Sequence, residues 1–448
     1  MSAAQPRLPR LFAGAFGAFF GLCLLKFGNP PIMEKWVTPP EDIFEFVLGY
    51  PWPIGWAYTI LGVVSLLGVL AARFHRHGEQ KKVARGPFSP FWSSRFGWLL
   101  ISLPLIWLAW EWVASMRTLD ARLSQAVLKH FAACVVCFYL GFFSLGRHGT
   151  LAPFWPGWLC GFGLVLAIGW HQHFGGLAET RRYFELYMRP QAKDIPAEFL
   201  AKMSSSRIFA TLFYPNALAG ALLLFLPASI AVVVEARNLL TSGARILVGT
   251  LLGVAAAGCM YWSGSKAGWL LMMLMGLVTL LRLPFGRHYK VALVAAIVVV
   301  GSAGFFWKYS GYFSKGATSV SARADYWRAA LLTTRERPVF GTGPGTFQIA
   351  YERVKRPESE PSRLTHNDYL EQASDSGLPG FFLYAMFITG ALVWGYPKQD
   401  WTAFGVWLGV LGWALQGLVE FGLYIPALAW PAFAFLGWML ARKAARAG

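Results

Sequence analysis

Charge is what this sequence has least of. Asp, Glu, Lys and Arg make up 14% of its 448 residues, where a soluble protein carries about a quarter. The acidic side is the poorer one, with 22 Asp and Glu against 40 Lys and Arg. Cysteine is scarce as well. The five cysteines lie in or beside apolar runs, and Cys134 and Cys137 form a CxxC with no second ligand pair. That excludes a disulfide framework and reads as small packing residues. There is no 20–50-residue repeat and no low-complexity tract. The glycine-rich stretch at 341–346 lacks the Gly-Lys-Ser/Thr ending of a phosphate-binding P-loop. An ordinary cytosolic enzyme, a solenoid and a P-loop nucleotidase are all set aside by these absences.

What is abundant is apolar sequence, 56% of the chain, enough for about twelve spans of ~20 residues. The runs read as spans near 11–28, 54–72, 96–115, 125–145, 154–172, 209–234, 245–262, 266–281, 291–308, 379–396, 401–421 and 426–441. Lipid-exposed backbone must satisfy its own hydrogen bonds, so these are expected to be helices. Pro104, Pro156, Pro215 and Pro227 are tolerated in that setting. The first span, after Arg7 and Arg10, lacks a small-residue cleavage site and reads as an uncleaved helix.

The basic excess, a formal +18, follows the short loops. Arg73, Arg76, Lys81, Lys82, Arg85 and Arg95 follow the second span. Arg282, Arg287 and Lys290 follow the eighth, and Arg442, Lys443 and Arg446 close the chain. The positive-inside rule makes that side cytoplasmic, with both termini. The excess is then an orientation signal and gives no support to nucleic-acid binding. Two long polar segments, about 172–208 and 309–378, fall outside, which in a Gram-negative cell is the periplasm. The expected fold is all-α, a polytopic transmembrane helical bundle of about 12 spans with a large periplasmic loop containing short helices. Its parts are 1–208, N-terminal spans with the first periplasmic segment; 209–308, central spans; 309–378, the large loop; and 379–448, C-terminal spans.

A 70-residue loop is too long for a plain connection. It opens with a helix pattern over 321–338, stopped by Pro338, on which Arg323 and Trp327 share a face. Thr365 with Asp368 resembles a capping box, which sets His366 in the first turn of a short helix ended by Gly377, with Pro379 opening the next span. A neutral imidazole there is a candidate general base, and the helix start also suits a phosphate oxygen; a plain cap or surface residue is the other reading. His171 and His173, two apart, face away from each other and make no metal pair. Arg207 precedes a run interrupted by Pro215 and Asn216. Lys266 and Glu420 sit at external span ends, where an ionisable group is either functional or half of a structural pair.

Together these residues resemble a family. His366-Asn367, nine residues, then Gly377-Leu378-Pro379-Gly380 is similar to the His-Asn/Ser/Gln-x9-Gly-x-x-Gly motif of O-antigen ligases. Arg207 followed by Pro215-Asn216-Ala217-Leu218-Ala219-Gly220 resembles the Arg and Asn-Pro-Asn-x-x-Ala segment of the wider O-antigen ligase and Wzy-type polymerase superfamily. Ser265-Lys266-Ala267-Gly268 resembles its Ser-Arg-Gly, with Lys266 departing from the usual Arg. Arg323, Trp327, Pro338 and the run from Gly341 to Phe347 resemble the start of its periplasmic loop.

The resemblance implies a membrane glycosyltransferase of the GT-C type. Such an enzyme moves a glycan from undecaprenyl diphosphate to lipid A-core at the periplasmic face of the inner membrane, inverting and metal-independent, with no cofactor. A polymerase extending another lipid-linked repeat is the alternative. His366, Arg323 and Arg207 become the catalytic candidates. Lys266, Asn216, Asn367, Gly343, Gly345, Tyr369 and Glu420 become those binding diphosphate or glycan. Metal ligation by Asp368, Glu371 and Asp375 is the opposing proposal for that segment. A lipid-linked-glycan flippase or secondary transporter is the non-enzymatic rival. Its kind places charges near the bilayer midplane and carries internal repeats, whereas here the charges gather at external helix ends.

Overall fold

The computed structural model describes residues 7–79, 95–146, 151–189, 205–314, 318–357 and 359–446. Lys81, Lys82, Arg85 and the segment 190–204 lie outside them. Every regular element among the described residues is a helix. Each of the twelve apolar runs carries one, and eight are long and apolar enough to cross a membrane. Trp155–His171 and Lys266–Arg282 have 17 residues and Trp401–Gln416 has 16. At ~1.5 Å per residue these reach about 24–26 Å, short of a ~30 Å hydrocarbon core.

Two features of the sequence explain how the helices meet. Small residues line the closest contacts, as expected where lipid removes the hydrophobic drive between helices. A Cβ on Gly409 would lie 2.2 Å from the Leu224 carbonyl oxygen, so Trp401–Gln416 lies directly on Pro215–Glu235. Likewise, Gly17 lets Arg7–Lys26 touch the chain at Phe154. The second feature is aromatic filling. Pro426–Arg446 runs buried through the centre, with Trp430, Phe433 and Phe435 walled in. By contrast, the apolar window of Arg287–Tyr312 is 6% buried and faces outward.

The loop segment differs in detail from the sequence pattern. The helix Arg287–Ser314 runs past 308, so the loop begins later than expected. Thr318–Glu336 and Phe347–Val354 follow, and Asp368–Gly395 is one helix kinked at Gly377, whose φ of 73° breaks the turn. Only glycine takes that conformation freely, and a Cβ there would sit 2.1 Å from the Val339 carbonyl oxygen. Helix end and span start, read at Gly377 and Pro379, are that kink. The capping box is corrected. Asn367 is the N-cap, its side chain accepting from the N–H groups of Tyr369 and Leu370. Thr365 instead donates its N–H and hydroxyl to Glu371. The side chain closer to the helix start wins because the Asn carbonyl reaches two orphan donors. His366 therefore stands before the cap, at φ 52°, outside the first turn.

Candidate functional site

Four separate stretches of chain meet at one carboxylate. Glu420 lies in the turn after Trp401–Gln416 and is 5% exposed. Its Oε1 accepts from Arg323 Nη2 and Asn216 Nδ2. Its Oε2 lies 3.1 Å from His366 Nδ1. Arg323 comes from Thr318–Glu336 and is steadied by Nε donating to the Val419 carbonyl at 3.0 Å. Asn216 stands in the first turn of Pro215–Glu235, its backbone carbonyl taken by Gln416 Nε2 at 2.8 Å. Burial alone would raise the Glu420 pKa, but the His366 ring and the Arg323 guanidinium outweigh it and hold the carboxyl below its usual range.

Arg207 continues the chain of contacts. One Nη donates to Asn216 Oδ1 at 2.8 Å, and Nε donates to the Ser263 carbonyl at 2.6 Å. That carbonyl is an orphan acceptor at the C-terminus of Ser242–Ser263, where a cation is favoured. Burial lowers the Arg207 pKa while Glu420 raises it; a guanidinium stays charged through this. Lys266 opens the next helix after Ser265, whose hydroxyl caps it. Its ammonium lies 3.8 Å from the centre of the Tyr312 ring and within electrostatic reach of Arg207 and Arg323. Glu420's ion pairs among the described residues are with Arg323 and His366. The Lys266–Glu420 structural pair is thereby replaced by an Arg323–Glu420–His366 node.

The imidazole of His366 lies between the rings of Tyr326, stacked at 5.7 Å, and Phe421, edge-on at 4.8 Å. Burial pushes the Tyr326 hydroxyl up to about 12, so that ring is neutral. The His366 side chain is 27% exposed, and no partner for Nε2 is found among the described residues. With Nδ1–H pointed at a carboxylate, Nε2 is left as an acceptor open to a ligand. Among the described residues Arg207 and Lys266 form no ion pair with a carboxylate; Arg207 joins the node through Asn216, and Lys266 lies within electrostatic reach of Arg207 and Arg323.

The remaining candidates lie apart from the node or serve the fold. Asn367 spends its side-chain oxygen on the cap. The Tyr369 hydroxyl donates to the Ala414 carbonyl at 3.2 Å. Gly343 and Gly345 are buried, with their N–H groups given to Asp375, the latter at 2.6 Å to Oδ2. The glycine-rich turn is thus a lock between the loop and Asp368–Gly395, and its donors are already used. Asp368, Glu371 and Asp375 accept from Leu423 N–H, Thr365 and Gly345 N–H respectively. No group of three His, Cys, Asp or Glu placed to hold a metal occurs among the described residues. His173 stacks on Trp262 at 3.9 Å, and Cys134 and Cys137 are free and buried.

Some buried residues in and around the site carry little signal in the sequence. Tyr326 and Phe421 sit in aromatic-rich surroundings where no ring stands out. Glu111, an acid inside an apolar run, did stand out in principle; it is fully buried and accepts from the Ser376 hydroxyl.

Residues 251–385 match the family model described as O-antigen ligase, a stretch that holds Lys266, Arg323 and His366. The match supports the resemblance read from the motifs, and the matched family is one of ligase- or polymerase-like membrane glycosyltransferases. An uncharacterized protein of Haemophilus influenzae is 28% identical over 149 residues, covering 28% of this chain and 37% of that protein. The match therefore spans little more than a third of that relative's length. Together with the apolar helices, the family match fits a bacterial membrane protein.

Proposed function

From a matched stretch of O-antigen ligase type that contains His366, we propose that this chain is a membrane glycosyltransferase. It transfers a glycan from undecaprenyl diphosphate to a hydroxyl of lipid A-core, at the periplasmic face of the inner membrane, with inversion. The observation that carries the reading is that His366, its Nε2 without a partner among the described residues, shares Glu420 with Arg323 and, through Asn216, with Arg207.

The chemistry divides between them. The acceptor oxygen attacks the anomeric carbon as the bond from that carbon to the diphosphate oxygen breaks. The bonding pair leaves with the diphosphate, and the acceptor proton passes to His366 Nε2. Negative charge grows on the leaving diphosphate, so fixed cations stabilise the transition state more than the ground state. Arg207 and Lys266 suit that task because neither forms an ion pair with a carboxylate among the described residues. Arg207 offers a planar fork, while Lys266 acts as a point charge where the family usually has Arg. Arg323 is paired with Glu420 and serves the base side of the site.

Reconstitution of the full chain with a lipid-linked glycan and lipid A-core tests this. His366→Ala is expected to lower transfer by about 10²–10⁴-fold, the usual worth of a positioned general base. Full transfer by His366→Ala sinks the reading. Product made only when a second lipid-linked repeat is the acceptor would mark a polymerase.

A further inference from the structure

A carboxylate that is buried and has both oxygens engaged inside the protein is placed to orient its neighbours rather than to meet a substrate. Glu420 is in that state, with Arg323 and Asn216 on Oε1 and His366 on Oε2. We propose that Glu420 is a positioning residue, which turns the His366 ring so that Nε2 faces the acceptor and steadies the imidazolium formed there. The proposal rests on the reading of His366 as the base.

Stacking cannot do this work. A half-turn of the ring about Cβ–Cγ keeps the contacts with Tyr326 and Phe421 and exchanges Nδ1 for a carbon at the Glu420 side. Only the hydrogen bond to Oε2 tells the two orientations apart. It also selects the tautomer, because an ionised carboxylate accepts and never donates, leaving the proton on Nδ1 and the lone pair on Nε2. An anion 3.1 Å away then favours the ring once it carries the proton.

The groups around the pair are consistent with an ionised Glu420. Arg323 touches it directly, and Arg207 acts on it through Asn216 and by its charge. Asp368 is the opposing acid, its Oδ2 occupied by the Leu423 N–H. Tyr326 stacks on the imidazole face without charge. Two cations against one acid leave the balance on the anionic side of the titration.

The test is the pH–rate profile of kcat/KM for the full chain in liposomes, with a lipid-linked glycan as donor. Glu420→Gln is expected to lower the rate at neutral pH by about tenfold or more and to move the acid limb to lower pH by about one unit, the size of effect an adjacent opposite charge exerts. Glu420→Asp is expected to return the limb towards its wild-type position. A lower rate with an unmoved limb means that Glu420 only supports the fold, and overturns the proposal. So does an unchanged rate. Loss of transfer in His366→Ala beside a wild-type Glu420→Gln rejects this proposal and leaves the base reading intact; full transfer by His366→Ala rejects the base reading itself. A second measurement needs no variant. In wild-type protein labelled with ¹⁵N at histidine, the His366 resonances should show the proton on Nδ1, and a proton on Nε2 at neutral pH overturns the proposal.

Discussion

Glu420 is the residue on which the site depends for stability as well as arrangement. Removing one partner of a buried pair leaves the other desolvated and uncompensated, at a cost of about 3–5 kcal/mol. Because its folded pKa is depressed, the stabilisation is complete above the ordinary carboxylate value of 4.5 and is lost as pH falls through the lower folded value. Glu420→Gln should therefore unfold at a lower temperature than wild type at neutral pH, and the gap should close as pH drops below 4.5. Tryptophan-fluorescence melts across that range measure it; a gap that stays constant with pH would show that the charge is not the stabilising feature. His366 was legible as a candidate because an imidazole beside Asn at a helix start is a recognisable pattern. Its backbone at φ 52° was not, since that conformation is imposed by the cap at Asn367 and by the turn before it.

Among the elements, the glycine-rich turn shows most clearly how a chemical motif and a structural one look alike in sequence. Its three glycines at 341, 343 and 345 all have positive φ, which fits a ligand cradle as well as a lock. The N–H groups decide between them, and those of Gly343 and Gly345 go to Asp375. Gly343→Ala has to carry a side chain at φ 102° with its Cβ 2.1 Å from Thr118 Oγ1. The backbone strain alone costs about 1–3 kcal/mol, so the variant should melt lower and yield less folded protein. Gly163→Ala, in a helix where a Cβ meets nothing within 4 Å, is the control expected to be neutral. Equal melting temperatures for the two would remove the lock. Helix existence was readable from apolar runs, because a continuous run of ~20 apolar residues satisfies its own backbone in lipid as a helix. Helix length was less so: Trp401–Gln416 ends at 416, and the remaining apolar residues to 421 form the turn that carries Glu420.

At the scale of the whole molecule, the basic loops predict an orientation, and with it the face on which the proposed chemistry takes place. Single cysteines test it in a Cys160→Ser background, since Cys160 is the exposed native thiol. In intact cells a membrane-impermeant maleimide should label Arg353→Cys, in the large loop, and spare Lys398→Cys, between Asp368–Gly395 and Trp401–Gln416. The reverse pattern would turn the protein over and place the His366 node in the cytoplasm.

The sequence by itself determined that this is a bundle of apolar helices, where most of them lie, and which few polar residues are out of place among them. These are local properties: hydrophobic length, flanking charge, and motif spacing along one chain. The tertiary structure alone decided which of the polar residues are neighbours. Asn216 and Glu420 are 204 residues apart and Arg323 and Glu420 are 97 apart, and nothing in spacing predicts a contact over such separations. It arises because glycines let Pro215–Glu235 and Trp401–Gln416 lie against each other, bringing Asn216 and the turn after Gln416 to the same end. A buried carboxylate there is stable only where cations and donors meet it, so the packing that brings Glu420 inside also fixes its partners.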